Sequence, residues 1–262
     1  MIYTFPMIYF ILDSAVNIMI NFKRIDERSN YSLRPFSFKL NPLKSGPSCK
    51  ISVGNVRDEK GNLTGIGGRT SVISILMFSS ETKSKNAPGN FHKPHMEVFV
   101  RPSSGTIKSS IRSMECTLLK IMQRLVKVDK LGKVTLSLRV QIMEDSGGLL
   151  SVCINTLILC LYLSGIEMIS VPYSVSVGIV RPSSDSLTAE DLVILDPTDY
   201  EIVTYCSTAL TILCDPETGE ISLITIDSGS GLYGHSLPLI KSLAQKAAVK
   251  YMEEVEKLKA GS

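Results

Sequence analysis

A chain of 262 residues with 44% apolar and 20% charged residues holds enough apolar material for one sizeable core, and this balance excludes wholesale disorder and collagen-like repetition. The formal net charge of +3 is too slight to announce a polyanion partner, which calls for a concentrated basic patch, and it does not exclude RNA. Cys49, Cys116, Cys153, Cys160, Cys206 and Cys214 are dispersed, with no C-x-x-C pair and no histidine at ligand spacing. They read as small buried hydrophobes in a reducing compartment, and no metal or other cofactor is expected.

Met1 to Ile20 is apolar but lacks a basic lead, contains Pro6, Asp13 and Asn17, and offers no small-residue cleavage site. A membrane span needs roughly 20 predominantly apolar residues, so residues 1–22 read as an atypical N-terminal extension rather than an anchor. Residues 23–262 read as a single domain, with no membrane partner. Phe36 to Leu40 and Cys49 to Val53 alternate apolar with polar residues, as half-buried strands do, and Thr70 to Phe78 ends as a continuous apolar run. Asn55 to Gly68, rich in Gly, Asn and charge, reads as an enlarged hairpin loop, and Glu81 to Pro94 as a polar linker before a strand at Met96 to Val100. Both that strand and the next, Val134 to Ile142, read as candidate exposed edges.

Ser109 offers a hydroxyl cap to an amphipathic helix carrying Ile111, Met114, Leu118, Ile121, Met122 and Leu125. After Val134 to Ile142, Gly147-Gly148 turns the chain into a helix from Leu149 to Leu163 that is apolar nearly all round and stops at Gly165, which implies deep burial. Tyr173 to Val180, Asp191 to Leu195, Ala209 to Leu213 and Ile221 to Ile226 read as strands, the last two joined by an Asp215 to Gly219 turn. Leu237 to Leu258 reads as a final amphipathic helix. The order predicts an α/β (α+β) sandwich of mixed, mostly antiparallel sheets with packed helices.

Several of these segments resemble the RNase PH family, above all its eukaryotic exosome branch. Arg24-Ile25-Asp26-Glu27-Arg28 followed by Leu33-Arg34-Pro35 is similar to the family's R-x-D-G-R and L-R opening, with Glu27 in place of glycine. Gly68 to Val72 is similar to its G-x-T-x-V strand entry. Asp145 to Asn155 and Ser164 to Met168 resemble its glycine turn, buried helix and D-A-G-I-P-M element, and Leu195 to Thr198 and Gly231-Leu232-Tyr233 follow in order. Met96 to Pro102 with Gly105 is similar to a strand of the non-catalytic Rrp46 type of ring subunit. The resemblance implies a two-layer RNase PH-like fold of the ribosomal protein S5 domain 2 kind. It further implies a place in a hetero-hexameric ring of homologous subunits under RNA-binding caps, RNA as partner, and a nuclear, nucleolar and cytoplasmic location.

Phosphorolysis in this family needs a basic side chain to bring inorganic phosphate against a phosphodiester, since two anions do not approach uncompensated. The family's arginine after the glycine turn falls here on Leu150. Of two aspartates spaced six apart in active members, Asp196 matches the first, Ile202 replaces the second, and Asp199 and Glu201 stand at other offsets. The expectation is therefore a non-catalytic RNA-binding ring subunit with a vestigial Asp196, against the alternative of an active phosphorolytic 3′–5′ exoribonuclease. Asp196 before Pro197 also suits an ordinary strand-end turn. Arg112, Lys108 and Arg69 are the candidates for RNA contact, while His92, His95 and His235 read as surface or turn residues.

Overall fold

The computed structural model describes residue 24 and residues 26–57, 63–79, 94–105, 108–132, 134–181, 192–229 and 237–260. In chain order it contains β1 (Phe36–Leu40), β2 (Ser48–Arg57), β3 (Leu63–Ser79), β4 (His95–Arg101) and α1 (Ser109–Leu125). There follow β5 (Thr135–Glu144), α2 (Leu149–Leu163), β6 (Tyr173–Val180), β7 (Leu192–Leu195), α3 (Asp199–Thr204), β8 (Thr208–Cys214), β9 (Ile221–Gly229) and α4 (Leu237–Ala260). The expected residues 1–22 extension, His92, His235 and Gly231-Leu232-Tyr233 lie outside the described residues.

Two sheets form, ordered β1-β2-β3-β5-β4 and β7-β6-β8-β9. Every neighbouring pair is antiparallel except β4 with β5, which run parallel because α1 carries the chain back between them. β4 lies at an edge as expected, but the Val134 to Ile142 segment does not: β5 is paired on both sides, with β3 and β4. Its Leu136, Leu138, Val140 and Ile142 are buried in the core.

Burial of α2 is what unites the sheets. It packs on β2 and β3 of the first and on β6 and β8 of the second, and every residue from Ser151 to Leu161 is buried. Ile154, Leu157, Ile158 and Leu161 are fully enclosed, each contributing about 1.5–3 kcal/mol of burial. The polar exceptions are satisfied. Asn155 Nδ2 donates to Ser174 O at 2.8 Å and its Oδ1 accepts from Ser174 N at 2.7 Å, tying the helix to the start of β6. Gly165, at φ 73°, ends the helix. α4 packs on β6 and β8, and its Tyr251 meets Phe36 and Phe38 of β1 and Tyr173 of β6.

Three local readings are corrected. The enlarged loop at Asn55 to Gly68 is shorter, because after a bulge between Gly54 and Val56 the backbones pair on through Arg57 opposite Leu63. Ser109 does not cap α1: Lys108 is the N-cap, no side chain caps it, and Ser109 is already helical. Cys153 and Cys160 are buried as expected, but Cys116 is exposed and Cys206 half-buried. No helix among the described residues is long and apolar enough to cross a membrane.

Candidate functional site around Asp196

Three distant stretches meet at the end of β7: the arginine-rich opening, the glycine turn before α2, and the turn before α3. Asp196 sits at φ 50°, a left-handed conformation that Asp tolerates better than most residues, and its amide donates to Ser176 O at 2.8 Å. This is the strand-end turn expected of the residue, yet its carboxylate is fully engaged as well. Arg34 donates from Nη2 to Oδ1 at 2.7 Å, from Nε to Oδ2 at 3.0 Å, and from its backbone amide to Oδ2 at 3.0 Å. The same guanidinium donates to the carbonyls of Ser146 at 3.1 Å and Gly147 at 3.0 Å, so it clamps the glycine turn to Asp196.

A second pair lies beside the first. Arg24 donates from Nε and Nη2 to the two oxygens of Glu201, both at 2.8 Å, and also reaches the carbonyls of Leu195 at 2.8 Å and Asp196 at 3.0 Å. Glu201 is in turn the third residue of α3, where it forms a capping box: Thr198 N donates to Glu201 Oε2 at 2.8 Å and Glu201 N to Thr198 Oγ1 at 3.3 Å. Arg28 pairs with Asp26 and donates to Ser32 O at 3.0 Å and Asp196 O at 3.3 Å.

Electrostatics follow from this geometry. Burial alone would push the Asp196 carboxyl up, but the charge of Arg34, its hydrogen bonds and the charge of Arg28 together hold it below the usual range. Glu201 behaves alike, with desolvation outweighed by the hydrogen bonds from Arg24 and the Thr198 amide. Asp196 is therefore ionised at neutral pH and its oxygens are already occupied by donors. Acting as proton donor or metal ligand would require displacing Arg34. Among the described residues no group of three His, Cys, Asp or Glu side chains is placed to hold a metal.

Leu150, in the first turn of α2, is half-buried and packs against the core. Ile202 is half-buried on α3, and the Asp199 side chain is exposed. The first turn of α2 carries no cation, and among the described residues no second carboxylate pairs with Asp196. Gly147 is required here: a Cβ on it would lie 2.6 Å from Asp199 N and 2.9 Å from Pro197 O, so the two turns touch backbone to backbone.

The basic candidates lie at the same end of the first sheet as the glycine turn, since parallel β4 and β5 deliver the chain there to Lys108 and to Gly147. Lys108 and Arg112 are exposed. Arg69, on β3, donates to Ser52 Oγ at 3.1 Å and lies 3.8 Å from Glu144. His95 is exposed, with Nε2 3.0 Å from Glu97. Sequence reasoning quoted Arg24, Arg28 and Arg34 as motif letters without assigning them roles, and it set Glu201 aside. The available signal was that three arginines in a short segment leading into the core need buried carboxylates.

No protein-family model matches the sequence, and no curated protein matches it. Solved structures do. Rrp46 from rice (Oryza sativa) superposes with a TM-score of 0.70 at 19% identity, covering 88% of this chain and 97% of that one. A chain of the Archaeoglobus fulgidus exosome, solved with RNA bound to the active site, gives 0.68 at 14% identity, covering 93% and 96%. A chain of an archaeal exosome core gives 0.64 at 15% identity, covering 93% and 95%. The chain shares the RNase PH-like fold of these exosome proteins over nearly their whole length.

Proposed function

We propose that this protein is a non-catalytic ring subunit of an RNA exosome, supporting 3′–5′ RNA processing by architecture and RNA contact rather than by chemistry. The observation that carries the reading is the state of Asp196: the one carboxylate matching the family's catalytic pattern is a buried counter-ion of Arg34, bound through three hydrogen bonds. Leu150 and Ile202 support it, since neither can neutralise phosphate or hold a metal or proton. Homologous ring neighbours and RNA-binding caps would complete the assembly, and among the described residues β4 and β9 stand at sheet edges, as do β1 and β7. RNA contact is assigned to Lys108, Arg112 and Arg69 at the glycine-turn end of the first sheet.

Incubating the purified chain with a short single-stranded RNA and inorganic phosphate is expected to release no nucleoside diphosphate, with or without a divalent cation. The Leu150→Arg variant is expected to stay inactive, because the position of Ile202 still lacks a carboxylate. Phosphate-stimulated release abolished by Asp196→Ala would replace this reading by that of an active exoribonuclease.

A further inference from the structure

Among the described residues, helices pack the first sheet on one face only. Leu76, Leu136, Leu138 and Val140 are buried on that face, and the residues alternating with them point the other way. On this outer face the register sets Lys39 opposite Lys50, Lys50 opposite Ile73, Ile73 opposite Gln141 and Gln141 opposite Arg101, a row crossing all five strands. At about 4.8 Å per strand the row is roughly 19 Å long. In the next row Arg139 stands opposite Phe99, a residue 46% exposed.

The charge on this face is one-sided. None of Lys39, Lys50, Arg101 and Arg139 forms an ion pair among the described residues. The two acids on the face are already engaged, Glu97 with His95 at 3.0 Å and Glu144 with Arg69 at 3.8 Å. Lys39 and Lys50 are directly opposed like charges, an arrangement that destabilises a sheet in the free chain and is relieved by an anion lying across the strands. The exposed aromatic beside an arginine favours an anion that also carries flat bases over a carboxylate-rich polypeptide.

We infer that the outer face of the first sheet docks single-stranded RNA, with Lys39 and Lys50 holding phosphate at one end of the row, Arg101 holding phosphate at the other, and Phe99, flanked by Arg139, as a stacking platform. The inference rests on the reading of the chain as an RNA-contacting subunit and adds a surface separate from Lys108, Arg112 and the glycine turn. Binding of a labelled oligouridylate of about 20 nucleotides to the full chain, followed by anisotropy across a salt series, tests it. The triple variant Lys39→Gln/Lys50→Gln/Arg101→Gln is expected to lose at least about tenfold in affinity at low salt and to flatten the log–log salt slope by about two. Phe99→Ala is expected to lose about fivefold or more with the salt slope unchanged. Circular dichroism and thermal midpoint confirm that both variants fold. Parent and variants binding alike would overturn this surface and leave RNA contact elsewhere intact. A parent that binds no RNA would overturn both readings. Competition by polyglutamate as effective as by RNA, with Phe99→Ala without effect, would assign the face to an acidic protein instead and overturn the inference.

Discussion

Replacing Arg34 by methionine is expected to cost about 3–5 kcal/mol of folding stability, read from urea titrations at neutral pH. The size comes from what is left behind rather than from the contact removed. The Asp196 side chain is only 6% exposed, and without the guanidinium its carboxylate stays buried with the Arg34 backbone amide as its remaining donor, while the carbonyls of Ser146 and Gly147 each lose one of two donors and keep Asp199 N and Thr70 Oγ1 respectively. The double variant Arg34→Met/Asp196→Asn is expected to recover much of the loss, because removing both charges removes the unpaired one, and asparagine tolerates φ 50°. The effect has a definite pH dependence. Asp196 has a folded-state pKa below its unfolded value of about 3.9, so the pair's contribution is complete above that value and is lost as pH falls through the lower folded pKa. In Arg34→Met the unpaired buried carboxyl is pushed up instead, so the variant sheds its penalty by protonation on acidification. The gap between parent and variant is therefore expected to start narrowing above about pH 4, as the variant's raised carboxyl protonates, and to go on narrowing below about pH 4 as the parent's pair is lost. A gap constant between neutral pH and pH 3 would show that Arg34 stabilises by packing alone.

Gly147→Ala is expected to cost about 3 kcal/mol or more, against about 1 kcal/mol for Gly165→Ala. Both glycines have positive φ, 102° and 73°, so both variants meet backbone strain. They differ in surroundings. A Cβ on Gly165 meets nothing within 4 Å, whereas on Gly147 it meets the backbone of Pro197, Thr198 and Asp199 at 2.6–2.9 Å, atoms that cannot rotate away. The relief available is separation of the two turns, which would break the Asp199 N to Ser146 O hydrogen bond of 3.0 Å and loosen the Arg34 clamp. Equal losses in the two variants, compared by thermal or urea unfolding, would mean that the turns do not depend on each other.

These two residues also mark where sequence reasoning stops. The bounds of α2, Leu149 to Leu163, and of β6, Tyr173 to Val180, are legible because glycines and polar turns bracket uninterrupted apolar runs, and burial follows from the lack of a polar face. The interior place of β5 is not, since it depends on β3 choosing β5 as its second neighbour across the long β4–α1 excursion. α3 is missed because six residues are too few to show a period, and its stability lies in the Thr198–Glu201 capping box. At the site, Leu150 and Ile202 are readable as letters. The engagement of Asp196 is not, because Arg34 and Asp196 are 162 residues apart and Arg24 and Glu201 are 177 apart. Ion pairs that close only in the folded chain leave no local pattern, and a charged residue in a motif reads equally well as catalyst or counter-ion.

Membership of a ring is the claim on which the rest depends, and affinity purification of the full chain from its own cells at physiological salt tests it most directly. Quantified by mass spectrometry, the purified material is expected to contain other RNase PH-like chains in amounts comparable to this one, while the isolated chain self-associates through its open sheet edges. A chain that sediments as a stable monomer in dilute buffer and brings down no RNase PH-like partner would contradict the account.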